Sequence, residues 1–187
     1  MNKVFFDLEW NTGFLDGNSF DEIIEIGAVK TDEEYRQIDG FRRLIRPVIY
    51  RKMNPYIQKI LAITMKDLQG EEPLAAVAKV FFDWCGDCDT LIAWSGNDFG
   101  VLEKNLAHIG MKIPEQLGRY DVQMAYAYRT ENSIRNYALK TAVEAMELPE
   151  PEGQEYHDAY CDAQFTAAIG RALTERYGPL PAVEELQ

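Results

Sequence analysis

Apolar positions along the chain change period twice. Residues 3–10, Lys-Val-Phe-Phe-Asp-Leu-Glu-Trp, are aromatic and β-branched and predict a strand over about 3–9. Further strand-like runs fall at about 22–30, 34–46 and 89–94, with a short fifth near 118–122. Helix-period runs fall at about 55–62, 73–85, 97–109, 122–129, 134–146 and 158–177. In the last of these Ala159, Ala163, Phe165, Ala168, Ile169, Ala172 and Leu173 recur at helical spacing, with Gly153 and Gly178 beyond the ends. Short turns join the early strands, which predicts antiparallel pairing, whereas the later strands cross over through helices. The expectation is an α/β fold with a mixed five-stranded sheet flanked by helices. One domain over 1–177 with a tail at 178–187, read as surface dressing, accounts for the 187 residues.

Composition narrows the class. A chain that is 47% hydrophobic and 12% aromatic can bury a full core. It has no early apolar h-region and no uninterrupted apolar stretch of membrane-spanning length, so a soluble, cytoplasmic protein without membrane partners is expected. The net charge of −12 argues against tight, nonspecific binding to a long duplex. Basic residues do cluster, at Arg42, Arg43 and Arg46, at Arg51 and Lys52, and singly at Lys140; the first cluster is read as the solvated edge of a strand. Cys85-Gly86-Asp87-Cys88 spells C-x-x-C but lacks the second pair a zinc site needs, so the three cysteines are read as plain thiols.

The chemistry is carried by acids. Asp7 and Glu9 lie two apart on a strand and share one face. Two carboxylates side by side in an apolar strand repel each other unless a cation neutralises them, and a hard divalent ion with oxygen ligands is the natural choice. Asp98 follows a strand and the turn Ser95-Gly96-Asn97; alone, it fits a helix N-cap. His157 and Asp162 are five apart at the start of the last helix.

These residues, in this order and spacing, resemble the three exonuclease motifs of the DEDD superfamily, in its DEDDh (DnaQ-like) branch. Asp7 and Glu9 fit the D-x-E of the first motif, Asp98 the aspartate of the second, and His157 with Asp162 the H-x(4)-D of the third. The likeness covers about residues 3–175, including Ile24 to Val29 and Ile60 to Thr64 ahead of Asp67. It implies an RNase H-like fold and 3′-to-5′ hydrolysis of a single-stranded nucleic acid with a free 3′ end, releasing nucleoside 5′-monophosphates. It also implies two divalent cations, Mg²⁺ or Mn²⁺, held by Asp7, Glu9, Asp98 and Asp162. Asp7 would bridge both, Glu9 and Asp162 would complete the site carrying the attacking water, and Asp98 would hold the second ion mostly through water. His157 would be the general base, with an ordinary pKa of about 6.5 that suits the role.

Two departures from the pattern bear on substrate. Trp10 stands where a small hydroxyl residue is usual, and Leu8 and Trp10 are the expected substrate contacts. Trp10, Phe14 and Phe20 follow the motif in what reads as a Gly-rich loop, where Trp10 would stack on a terminal base. Trp94-Ser95-Gly96-Asn97-Asp98 resembles the second motif of RNA-trimming, sporulation-inhibitor-type members, which tilts the reading towards RNA. Leu148 to Gly153, with two prolines, predicts a loop that lets His157 close over substrate. The competing reading is a noncatalytic recognition module, which would be expected to have lost a metal ligand; here all five positions are filled.

Overall fold

The computed structural model describes residues 2–61, 63–131, 136–149 and 157–186. Residues 3–31 close into one long hairpin. β1 spans Lys3–Leu15 and β2 spans Asn18–Thr31, paired antiparallel from Lys3↔Thr31 to Leu15↔Asn18. The connection is Asp16-Gly17, with φ of 50° and 82°. Such a two-residue turn has the twist of the flanking strands, and Asp-Gly is its strongest sequence signal. The segment expected as a Gly-rich loop is therefore strand.

β3 (Gln37–Leu44) adds antiparallel to β2, while β4 (Thr90–Ala93) and β5 (Gly118–Asp121) add in parallel on the other side. The order β3-β2-β1-β4-β5 makes β1 central, in the mixed five-stranded sheet that was expected. Successive β1 side chains serve opposite faces. Val4, Phe6 and Leu8 pack into one buried cluster with Phe81 of α3 (Leu74–Cys85) and Leu102 of α4 (Gly96–His108). Phe5 packs into the other with Val143 of α6 (Leu139–Ala145) and Ile169 of α7 (Ala159–Tyr177), beside α5 (Val122–Glu131). Two short helices, α1 (Pro55–Leu61) and α2 (Met65–Leu68), follow β3. α2 was not expected; one turn is too short for a periodic signal, although the Thr64–Asp67 capping box announces it. Residues 134–135 of the expected 134–146 helix and 150–153 of the expected closing loop lie outside the described residues.

Two details position the site. Register along the hairpin slips between Glu9 and Trp10, because Glu9 faces Glu25 while Trp10 faces Ile23. Gly27, across from Asp7, lies under the start of α7: a Cβ there would fall inside contact distance of the backbone of Ala159 and Tyr160. Only glycine lets the helix approach the sheet so closely at this point.

The C-terminal residues do more than dress the surface. Tyr120 donates to the Pro181 carbonyl (2.8 Å), Arg129 donates to that of Pro179 (2.8 Å), and Leu186 is buried. Among the described residues no helix is long and apolar enough to cross a membrane.

All three cysteines are free and buried. Burial pushes the Cys85 thiol up to about 12 and Cys161 up to about 11. Since the thiolate is the reactive form, native protein should react with a thiol reagent at least about a hundredfold more slowly than protein in denaturant. Equal rates, followed by absorbance, would contradict the buried placement.

Candidate active site

Alternation along β1 sends Asp7 and Glu9 to the α7 face, in line with Phe5. They line one cleft of about 250 Å³ together with Leu8, Trp10, Asp98, His157 and Asp162, all of which the sequence singled out. Ile57, Ile60 and Leu61 of α1 complete the wall. None was expected as a site residue, although Ile60 and Leu61 fall in the stretch that resembles the family, because one apolar stripe cannot distinguish a packed face from a cleft wall. Leu8 reaches the cleft with its backbone, since its side chain is buried in the cluster on the opposite face. Trp10 is half-buried, packed on one side against that cluster.

Asp98 arrives by way of α4. Ser95 is the N-cap, accepting from Asn97 N at 3.3 Å, so the capping role considered for Asp98 belongs to Ser95. Asp98 sits in the first turn, 5% exposed, its carboxylate accepting from Ser95 Oγ at 3.3 Å. Asp121, at the end of β5, accepts from Gly96 N (2.7 Å) and Met124 N (2.9 Å), and so ties β5 to the start of α4.

His157 and Asp162 arrive by way of α7. Asp158 is its N-cap, accepting from Cys161 N at 3.1 Å. His157 precedes the cap with φ 69°, a left-handed backbone that costs a non-glycine residue about 1 kcal/mol or more. Its N–H donates to Asp162 Oδ2 at 3.2 Å, which pins the strained residue. The His157 side chain is exposed at the mouth of the cleft. Ligand atoms of Glu9, His157 and Asp162 lie within 4.8 Å of one another.

A clamp that the sequence reading missed holds this corner. Arg42, expected as solvated edge, donates from Nε to Glu25 (2.8 Å) and from a terminal nitrogen to Asp158 (2.6 Å). Glu25 is 1% exposed and lies directly across from Glu9. A carboxylate buried inside an otherwise apolar strand was the available signal.

Electrostatics make the cleft hungry for positive charge. Burial, then repulsion from Asp98, Asp162, Glu9 and Glu25, holds the Asp7 carboxyl well above the ordinary range. Burial, then Asp162, Glu25, Asp98 and Asp158, pushes Glu9 up to about 9. Burial also pushes Asp162 up to about 7 and Asp98 up to about 6. Among the described residues none of these four has an ion-pair partner, and Asp162 Oδ1 is buried with no hydrogen-bond partner at all. Oxygen donors with an orphaned carboxylate oxygen fit a hard divalent cation.

The raised values have a consequence for stability. A carboxylate whose folded pKa exceeds its unfolded one adds stability below the unfolded value, and this is lost as pH rises through the folded value. In chelator, the melting temperature should therefore fall between about pH 4 and pH 9 as these groups are forced to ionise, with the Asp98 and Asp162 share falling first and the Glu9 share last. Mn²⁺ or Mg²⁺ at pH 8 should restore it. A metal-free melting temperature flat across that range, by calorimetry, would contradict the crowded arrangement.

Comparisons with known proteins follow the same outline. The family model described as Exonuclease (RNase T) matches residues 4–169. The DNA polymerase III PolC-type of Clostridium perfringens (strain 13 / Type A) is 29% identical over 169 residues, a match covering 89% of this chain and 11% of that protein. The present chain thus spans about a tenth of that relative's length. Among solved structures, the nuclease domain of 3′hExo, a DEDDh family member bound to rAMP, superposes with a TM-score of 0.82 at 16% identity, covering 96% of this chain and 94% of that one. E. coli Exonuclease I in complex with a dA16 oligonucleotide gives a TM-score of 0.72 at 18% identity, covering 94% of this chain and 41% of that one. Identities this low speak for the fold.

Proposed function

The chain belongs to the RNase T exonuclease family, and from that premise we propose that it is a metal-dependent 3′-to-5′ exonuclease. It removes nucleoside 5′-monophosphates from the free 3′ end of a single-stranded nucleic acid, RNA in preference to DNA. The observation that carries this reading is the convergence of Asp7, Glu9, Asp98, His157 and Asp162, from three separate elements, on one cleft.

Asp7, Glu9, Asp98 and Asp162 would hold two divalent cations, Mg²⁺ or Mn²⁺. When bound, such a pair supplies Lewis-acid stabilisation of the charge on the attacking and leaving oxygens of a phosphodiester. His157 takes the proton from the attacking water. Its exposure at the mouth leaves the ring free to reach that water, and the bond from its N–H to Asp162 keeps it beside the carboxylates. Trp10 with Ile57, Ile60 and Leu61 offers the terminal nucleoside an apolar wall, where stacking contributes about 1–3 kcal/mol per base. The preference for RNA is supported by the likeness of Trp94 to Asp98 to the RNA-trimming subgroup, and the 3′hExo neighbour is bound to rAMP. Trp94 itself acts at a distance, being buried with its indole N–H donated to the Tyr137 carbonyl at 3.0 Å.

A gel time course on 5′-labelled single-stranded RNA and DNA of matched sequence, with Mg²⁺, Mn²⁺ or chelator, tests the reading. A ladder shrinking from the 3′ end, lost in chelator and in His157→Ala, with RNA degraded faster, is the expected result. Products ending in 3′-phosphate, or internal cuts, would refute the assignment. Binding without cleavage under any metal would make the protein a recognition module.

A further inference from the structure

Between Gly40 and Lys66 the chain carries seven basic residues, Arg42, Arg43, Arg46, Arg51, Lys52, Lys59 and Lys66, and no Asp or Glu, within a protein of net charge −12. Three of the seven are accounted for elsewhere, and a fourth, Lys66, stands on α2 beside Asp67. Arg42 is held by Glu25 and Asp158. Arg43 pairs across from Ile26 on the opposite face of the sheet and lies over the Phe41 ring, and Arg46 donates to the Glu71 carbonyl at 3.1 Å. Arg51, Lys52 and Lys59 are exposed and have no ion pair among the described residues. Among exposed cations elsewhere, Arg36 pairs with Asp32 and Glu34, Lys112 with Glu115, Arg119 with Glu103, and Arg171 with Glu175, while Lys79 on α3 and Lys104 on α4 have no ion pair among the described residues but stand singly rather than in a group.

The sheet places these unpaired cations next to the cleft. Asp7, Glu9, Asn11 and Gly13 follow one another on a single face of β1, each step roughly 7 Å long. Asn11 is the next residue outward from Glu9, and it fixes the loop before α1. Its Nδ2 donates to the Lys52 carbonyl (3.1 Å), and its Oδ1 accepts from Asn54 N (2.8 Å). Glu22, facing Asn11 across the hairpin, accepts from the backbone N–H groups of Val48, Ile49 and Tyr50 at 2.6–2.9 Å. Tyr50 in turn covers Gly13, where a Cβ would meet its ring at 2.6 Å. The loop carrying Arg51 and Lys52 is therefore rigidly held one step beyond the carboxylates. α1 continues from it, with Ile57, Ile60 and Leu61 lining the cleft, Tyr56 beside Ile60 and 70% exposed, and Lys59 exposed next to it.

We infer that Arg51, Lys52, Tyr56 and Lys59 form a docking strip for the stretch of single strand immediately upstream of the 3′ terminus, the cations on its phosphates and Tyr56 on a base. The strip deepens the exonuclease reading and rests on it. It reconciles an acidic protein with a polyanionic substrate, because a group of unpaired cations stands at the approach to the cleft. Substrates too short to reach the strip gain nothing from it.

The test uses Arg51→Ala/Lys52→Ala/Lys59→Ala, with Lys112→Ala/Arg119→Ala/Arg171→Ala as a control that removes the same charge from ion-paired surfaces. Cleavage of a dinucleotide and of a 12-nucleotide strand is measured, together with anisotropy of the labelled 12-mer in chelator at several salt concentrations. The strip variant should lose at least about tenfold more kcat/KM on the 12-mer than on the dinucleotide. Its salt dependence should flatten by about 2 in log–log slope, three cations at about 0.7 each. The control should change neither. Wild-type affinity and slope in the strip variant would overturn the proposal and leave the cations to an acidic protein partner. An equal loss on both lengths would also overturn it, by placing the effect inside the cleft. If the wild type cleaves nothing but the strip variant still loses affinity, the strip stands and the exonuclease reading falls.

Discussion

Asp7→Asn is expected to lower kcat by about 10²–10³-fold, the scale on which removing one preorganised electrostatic partner of a reacting centre acts. The same substitution should raise the melting temperature of the metal-free protein. Asp7 is buried among Asp98, Asp162, Glu9 and Glu25, and its carboxyl is held well above the ordinary range, so ionising it at neutral pH works against folding. Asparagine keeps the shape and removes the charge. In a domain of this size each kcal/mol recovered is worth about 2–4 °C. The gain should shrink or reverse in Mn²⁺, because the wild type then recovers through binding what it loses through repulsion. Single-turnover hydrolysis and calorimetry, each with and without metal, check both halves. A variant that retained activity would remove Asp7 from the metal site, and an unchanged metal-free melting temperature would remove the repulsion. Stability sacrificed at a working site is a common pattern, and in the proposed site it would have a named origin in four carboxylates and one cleft.

Much of this site could be read in the sequence because its chemistry is written in residue types rare in such surroundings. Asp7 and Glu9 interrupt an apolar strand, and His157 stands in a string of acids and small residues; these are conspicuous whatever the fold. What escaped is what depends on tertiary neighbours. Arg42 looks like any edge-strand arginine until β2 sets Glu25 beside it and α7 brings Asp158 over it. Ile57, Ile60 and Leu61 obey a helical period whether they face a core or a cleft. The hairpin arms at residues 10–21 lack apolar alternation because the face of β1 beyond Glu9 is covered by a polar, hydrogen-bonded loop, through Asn11 and Glu22, instead of by a helix. Only the Asp16-Gly17 turn marked them as strand. The mixed sheet itself needed no such detail, since short early turns predict antiparallel pairing and later helical crossovers predict parallel pairing.

Gly27→Ala should be the most damaging substitution that touches no functional group. The added methyl would fall inside contact distance of the backbone at Ala159 and Tyr160, atoms that no rotamer change can move. The start of α7 must then retreat from the sheet, carrying with it Asp158, Asp162 and the pinned backbone of His157. Asp7 lies directly across from Gly27, so the retreat opens the distance between the β1 carboxylates and those of α7. A displacement of about 1 Å at a reacting centre costs on the order of 10²-fold in rate, and overpacking costs roughly 1–3 kcal/mol. The expected result is a drop in kcat of about that factor, several degrees off the melting temperature, and a weaker stabilisation by Mn²⁺, since the ligands no longer converge. Gly100→Ala is the matched control. Gly100 lies inside α4 with open space where a Cβ would go, so the same methyl there should be neutral or add up to about 1 kcal/mol of stability. If Gly27→Ala kept full activity while losing stability, the seating of α7 would matter to the fold alone, and Asp162, the metal ligand proposed on its first turn, would have to be held by the Arg42 clamp instead.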